Sequence, residues 1–107
     1  MSNKYRTHNC NELRKKHVGS KVVLSGWINK KRDHGNLLFI DLRDNYGITQ
    51  CIISKDSPYF NQLEKTQLET VIRIEGKVID RSKETINNEI STGEIELSIS
   101  KFEELGS

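Results

Sequence analysis

Between Lys21 and Ser54 apolar and polar residues alternate with a period of two, in three runs separated by short turn signals. Successive strand side chains point to opposite sides of a sheet. In Leu37–Arg43, Leu38, Ile40 and Leu42 therefore share one face, and Leu37, Phe39, Asp41 and Arg43 share the other. The first set can fill a core. The second sets an aromatic ring beside an arginine, next to the Lys30-Lys31-Arg32 run, on a solvent-facing surface. A chain with this pattern is a curved meander that hides one face and displays charge on the other.

The remaining elements extend the same plan. The polar start, Met1 to Arg6, is expected to fray, with structure beginning near Thr7. Asn9 or Asn11 can cap a short helix through Glu12-Leu13-Arg14-Lys15-Lys16, which His17-Val18-Gly19 ends. The first strand starts at Lys21, with Val22, Leu24, Gly26 and Ile28 alternating against Val23, Ser25, Trp27 and Asn29; Gly26 permits the sharp coiling a small barrel needs. The second strand, Leu37–Arg43, turns through Asp44-Asn45-Tyr46-Gly47 into a third, Gly47–Ser54. Asp56-Ser57-Pro58 reads as a helix start, followed by Tyr59, Phe60, Leu63 and Leu68 at amphipathic spacing. A fourth strand is expected over Thr70–Asp80, a long hairpin loop over Arg81–Gly93, and a fifth strand over Glu94–Ser100 with Ile95, Leu97 and Ile99 inward. Five strands with one helix between the third and fourth is the order of an OB-fold, an all-β, partly open Greek-key barrel whose second and third strands and connecting loops bind oligonucleotides.

Composition narrows the function. At 107 residues, 34% hydrophobic and 30% charged, the chain is most economically one domain, with a small core that a barrel hides efficiently. A net charge of +2 says little about partners, but its placement is uneven: Arg14 to His17 and Lys30 to Arg32 are basic, while Glu84, Glu89, Glu94, Glu96, Glu103 and Glu104 gather late. Cys10 and Cys51 are far apart with no Cys-x-x-Cys pairing, and His8, His17 and His34 lack ligand spacing, so no metal site is expected. Cys51 sits in an apolar run and reads as a core residue. No secretory or membrane-spanning stretch is present in the sequence, and a reduced, cytoplasmic protein is expected. No nucleophile paired with a base and no phosphate-binding glycine loop occurs, so this stretch is expected to bind rather than catalyse.

Several separated blocks, in order, carry a resemblance. They are Arg6-Thr7-His8, Cys10, Glu12-Leu13, Val18-Gly19, Gly26-Trp27, Arg32-Asp33-His34-Gly35, Phe39 to Asp44, Gly47-Ile48-Thr49-Gln50 and Thr92 to Glu96. Across essentially the whole chain the sequence resembles the N-terminal anticodon-binding domain of bacterial aspartyl-tRNA synthetases. The family's class II catalytic region, which uses ATP and magnesium and dimerises, would lie downstream. The resemblance thus implies a 1–107 OB domain that binds the anticodon loop of tRNA, needs no cofactor of its own, meets neither membrane nor DNA, and is a monomer by itself within a homodimeric parent.

The resemblance also implies roles for particular positions. Phe39 would stack on an anticodon base, Gln50 would hydrogen-bond the central uridine, Arg32 would contact the first anticodon bases or their phosphates, and Glu96 would read a guanine-type first base. Lys30 would meet phosphate without the planar fork of arginine. Arg81 and Asn87 would serve the third position, where the sequence departs from the family: Ile79 stands where some members have a basic residue and Thr85 where some have Asn. The chemistry agrees independently, since rings stack on bases and an amide offers donor and acceptor together. The residues alone leave alternatives: Phe39 beneath the N-terminal helix, Gln50 merely solvated, and Asp41 and Asp44 near Asp33 as a carboxylate cluster, which the resemblance instead makes turn and strand residues orienting Arg32 or Arg43 by ion pairing. The rival functions are a stand-alone single-strand binder with little sequence preference, and a protein-interaction OB domain.

Overall fold

A computed structural model of the chain describes residues 5–106. Five strands, β1 (Lys21–Asp33), β2 (Leu37–Arg43), β3 (Ile48–Ser54), β4 (Val71–Asp80) and β5 (Ile95–Gly106), close into a barrel in the order β1-β2-β3-β5-β4. All neighbouring pairs are antiparallel except β3 with β5, which is parallel. This is the expected five-stranded Greek-key barrel. Helix α1 (Phe60–Lys65) lies between β3 and β4.

The alternation read from the sequence sorts the core. Val22, Leu24, Ile28, Leu38, Ile40, Leu42, Ile72, Ile74, Ile95 and Leu97 all point inward and are nearly or completely removed from water. Each such aliphatic side chain contributes about 1.5 to 3 kcal/mol of burial free energy. Cys51 belongs to this core, as expected, and so does Cys10. Burial pushes both thiols well above their usual range, so neither is a nucleophile. Gly26 lies where β1 crosses β2 so closely that a Cβ would come within 2.3 Å of the Arg43 carbonyl oxygen. The barrel's sharp coil at this corner therefore depends on a residue without a side chain.

Four elements differ from expectation. Instead of a helix over Glu12 to Lys16 there is only a 3₁₀ turn, Lys15–His17. Local polar groups compete with helical bonding: the Asn9 N–H donates to Glu12 Oε1 at 2.8 Å, the Asn11 N–H to Asn9 Oδ1 at 2.9 Å, and the Arg14 N–H to His17 Nδ1 at 2.9 Å. Order also begins earlier than Thr7. Arg6 sits in an isolated bridge and the Thr7 N–H donates to the Val23 carbonyl at 2.8 Å, whereas residues 1–4 of the expected frayed start lie outside the described residues. Helix α1 starts at Phe60, because Ser57 folds a turn in which its hydroxyl and carbonyl accept the Tyr59 and Phe60 N–H groups; Leu68 lies beyond the helix and is exposed. Strand β5 runs six residues past Ser100, since the first half of β4 offers it a free edge: Ile72 pairs with Glu104 and Ile74 with Phe102.

Two plugs finish the core. Cys10 and Leu13 close the end near the β2–β3 turn, held by the Cys10 N–H on Asp44 Oδ2 and the Thr49 hydroxyl on the Cys10 carbonyl, both at 2.8 Å. Phe60 and Leu63 of α1 are likewise buried in the core.

Candidate nucleic-acid interface

The decisive local feature is a β-bulge between Ile28 and Lys30. Ile28 pairs with Leu42 and faces inward; strict alternation would turn Lys30 and Arg32 inward as well. The bulge takes up Asn29 as an extra residue, so that Lys30 pairs with Asp41 and Arg32 with Phe39, on the outer face. Lys31 turns the other way, and its ammonium donates to the Glu64 and Thr66 carbonyls at the C-terminal end of α1, at 2.7 and 2.5 Å. Its partial burial lowers its pKa.

Cross-strand pairing then lays out two rows on the outer face. One runs Lys30, Asp41, Gln50; the next runs Arg32, Phe39, Ile52. Arg32 reaches diagonally across the first row. Its two terminal nitrogens each donate at 2.9 Å to one oxygen of Asp41, and Nη2 also donates to Gln50 Oε1 at 3.0 Å. The Gln50 Nε2 donates in turn to Glu96 Oε1 on β5 at 2.8 Å. The hydrogen bonds to Asp41 hold the Arg32 guanidinium above its usual pKa, outweighing its desolvation. Beside this chain of polar groups Phe39 stands half-exposed, with the His34 ring edge-on to it at 5.0 Å.

The long β4–β5 loop forms the wall. Buried Arg81 donates from Nε to the Ile95 carbonyl at 2.9 Å and from Nη1 to the Thr85 carbonyl at 2.8 Å, bracing the loop from inside. That desolvation lowers its pKa although Glu96 and Asp41 oppose the shift. The Thr92 hydroxyl ties the loop to β3 through the Ile48 carbonyl at 2.6 Å, and the Asn87 N–H bonds the Gly93 carbonyl at 3.1 Å. Between loop and sheet lies a cleft of about 360 Å³ lined by Lys30, Arg32, Asp41, Ile48, Gln50, Arg81, Thr85, Asn87 and Ile90. A second, more apolar hollow beside it is lined by Arg32, His34, Phe39, Gln50 and Thr85.

The seven residues singled out from the sequence thus gather on one face. Arg32, Gln50 and Glu96 are directly linked, Lys30, Arg81 and Asn87 line the cleft, and Phe39 floors the adjoining hollow. Phe39 points away from the core, not beneath the N-terminal segment. Of the two aspartates, Asp41 orients Arg32, while Asp44 accepts from the Cys10, Tyr46 and Gly47 N–H groups and serves the turn. Sequence reasoning missed His34, Ile48 and Ile90 as lining groups; His34 sits in a turn whose geometry alone brings it to Phe39. Three cations, Lys30, Arg32 and Arg81, meet two carboxylates, Asp41 and Glu96, leaving the cleft slightly positive with donors, acceptors and a ring side by side. Such a surface suits unstacked nucleotides. Among the described residues no His, Cys, Asp and Glu cluster fit for a metal exists, and no helix is long and apolar enough to cross a membrane.

Residues 22–105 match the profile of the tRNA anticodon family, described as an OB-fold nucleic acid binding domain. The chain belongs to this family. Among curated relatives, the aspartate–tRNA(Asp/Asn) ligase of Pelagibacter ubique is 69% identical over 104 residues, spanning 97% of this chain and 18% of that protein. The aspartate–tRNA(Asp/Asn) ligase of Zymomonas mobilis is 52% identical over 99 residues, spanning 92% of this chain and 17% of its own. This OB-fold domain therefore spans less than a fifth of the curated relatives it matches. Among solved structures, asparaginyl-tRNA synthetase from Pyrococcus horikoshii superposes with a TM-score of 0.77 at 25% identity, over 94% of this chain and 22% of that one.

Proposed function

We propose that the chain is the anticodon-reading OB domain of an aspartate–tRNA ligase, holding the tRNA by its loop while a catalytic region elsewhere in the protein joins aspartate to the acceptor end. The observation that carries this reading is the linked set Asp41, Arg32, Gln50 and Glu96 beside an outward aromatic ring. Phe39 is the stacking platform, Gln50 the reader of the central uridine, Glu96 the acceptor for a guanine-type first base, and Lys30 and Arg32 the phosphate and base contacts. Asn87 and the loop braced by Arg81 serve the third base. The two relatives named for both aspartate and asparagine tRNA support the same double use here. ATP and magnesium belong to the catalytic region; the domain acts in the cytoplasm, alone as a monomer and within the full ligase as part of a homodimer.

Titration with an aspartate anticodon stem-loop, and with a copy whose central uridine is replaced, at two salt concentrations, tests this. The native loop is expected to bind better by at least about 1 kcal/mol, the scale of one good base contact. Equal binding to both loops, falling steeply with salt, refutes it in favour of a generic single-strand binder.

A further inference from the structure

The Gln50 amide can point only one way. A guanidinium has donors and no acceptor, so the Gln50 atom 3.0 Å from Arg32 Nη2 is its oxygen; a carboxylate only accepts, so the atom 2.8 Å from Glu96 is its nitrogen. With Gln50 only 7% exposed, the amide is clamped between these two and presents its remaining lone pair on the Arg32 side and its remaining N–H on the Glu96 side. Arg32 has no independent reason to stay there, being about a third exposed on a flexible stem. Asp41 supplies the reason: both its oxygens take a guanidinium nitrogen at 2.9 Å, a planar two-point grip that sets the plane and reach of the Arg32 head. Asp41 is well placed for this because it stands between Lys30 and Gln50 in one cross-strand row.

We propose that Asp41 is a positioning residue for base recognition: by gripping Arg32 it completes, opposite Glu96, the clamp that holds the Gln50 amide in one polarity and place, and so sharpens which base edge the site accepts. For a base whose plane is set by stacking on Phe39, an acceptor on the Arg32 side requires a ring N–H opposite it, and a donor on the Glu96 side requires a carbonyl. A uracil edge offers that pair, N3–H beside a carbonyl. Cytosine in the same pose sets an unprotonated N3 against the Gln50 oxygen, a lone pair against a lone pair. With the Arg32 head released, Glu96 alone holds the amide by its nitrogen, the Gln50 oxygen loses its fixed place against the base, and the penalty on cytosine shrinks. This inference rests on the reading of Gln50 as the base reader.

The test uses the chain with RNA stem-loops that differ only in uridine or cytidine at the central loop position. The unaltered protein is expected to prefer uridine at least fivefold. In Asp41→Ala and in the isosteric Asp41→Asn that preference is expected to shrink to within about twofold, chiefly because cytidine binding holds or improves, with the melting transition still cooperative. Asp41→Glu, which keeps the carboxylate, is expected to recover part of the preference. Retention of the full preference in both variants overturns the proposal, and so does equal weakening for both loops, which would make Asp41 merely structural. No preference in the unaltered protein would instead overturn the reading of Gln50 itself, a distinct outcome.

Discussion

Replacing Phe39 by alanine separates a binding platform from a core residue. A fully buried Phe→Ala change costs about 3 to 5 kcal/mol, because it forfeits transfer energy and leaves a cavity. Phe39 lies on the outer face of β2, half-exposed, so truncation leaves open solvent and not a void. What it loses is the contact with His34 at 5.0 Å and cover over its row neighbours Arg32 and Ile52, about 1 to 2 kcal/mol together. At roughly 4 to 8 °C per kcal/mol for a domain near this size, the melting temperature should fall by about 5 to 15 °C. Loss of one base stack, worth about 1 to 3 kcal/mol, should weaken stem-loop binding by roughly 5- to 150-fold. Leu38→Ala, one residue earlier and 2% exposed, provides the opposite pattern: about 2 to 5 kcal/mol of stability lost, with binding by the folded fraction nearly unchanged. Thermal melts by circular dichroism and fluorescence-anisotropy titrations measure both. If Phe39→Ala destabilises as much as Leu38→Ala and leaves the affinity intact, the assignment of its face to ligand is wrong.

Three further outcomes follow from the geometry. Arg81→Met removes charged donors to the Ile95 and Thr85 carbonyls and is expected to cost about 2 kcal/mol, with faster amide exchange across residues 82–93; unchanged exchange there would show that Arg81 does not brace the loop. Gly93→Ala places a Cβ 1.7 Å from the Asn87 carbonyl oxygen, which backbone cannot escape without opening the Asn87–Gly93 hydrogen bond, so about 1 to 3 kcal/mol of stability and much of the RNA affinity should go; a variant that melts like the parent refutes this. His17 is held below its ordinary pKa, first by desolvation and then by the charges of His8 and Lys16, and its Nδ1 accepts the Arg14 N–H, a bond only an unprotonated nitrogen can make. The unfolded chain therefore binds the proton more readily. This contribution to stability is present above about pH 6.5 and is lost as pH falls through the lower folded value. Denaturant midpoints of the parent and His17→Gln should converge between pH 7.5 and 5, and a constant gap would contradict the assignment.

Much of this was legible from residue order because a sheet with one wet face writes its period into the sequence. Leu38, Ile40 and Leu42 against Phe39 and Asp41, the Asp44 to Gly47 turn, and the inward Ile95, Leu97 and Ile99 all follow from strand geometry and turn chemistry. The N-terminal helix did not follow. The side chains of Asn9, Glu12 and His17 instead accept the backbone N–H groups of Asn11, Asn9 and Arg14 and leave no span to propagate a helix. The last six residues of β5 were illegible for a different reason: their charged alternation reads as a tail until the free edge of β4 is there to receive it.

The site divides in the same way. The family resemblance nominated Arg32, Phe39, Gln50 and Glu96, in roles that their side-chain chemistry allows: stacking, forked donation and amide reading. Their being one site was decided by tertiary structure. Simple alternation from Ile28 buries Arg32, and a single extra residue, Asn29, absorbed by pairing with β2, turns it outward onto Asp41. Parallel pairing of β3 with β5 then brings Glu96 beside Gln50 across 46 positions of sequence. The period of a strand is local and can be read from its residues, whereas a bulge and a strand partner exist only once another strand supplies the register.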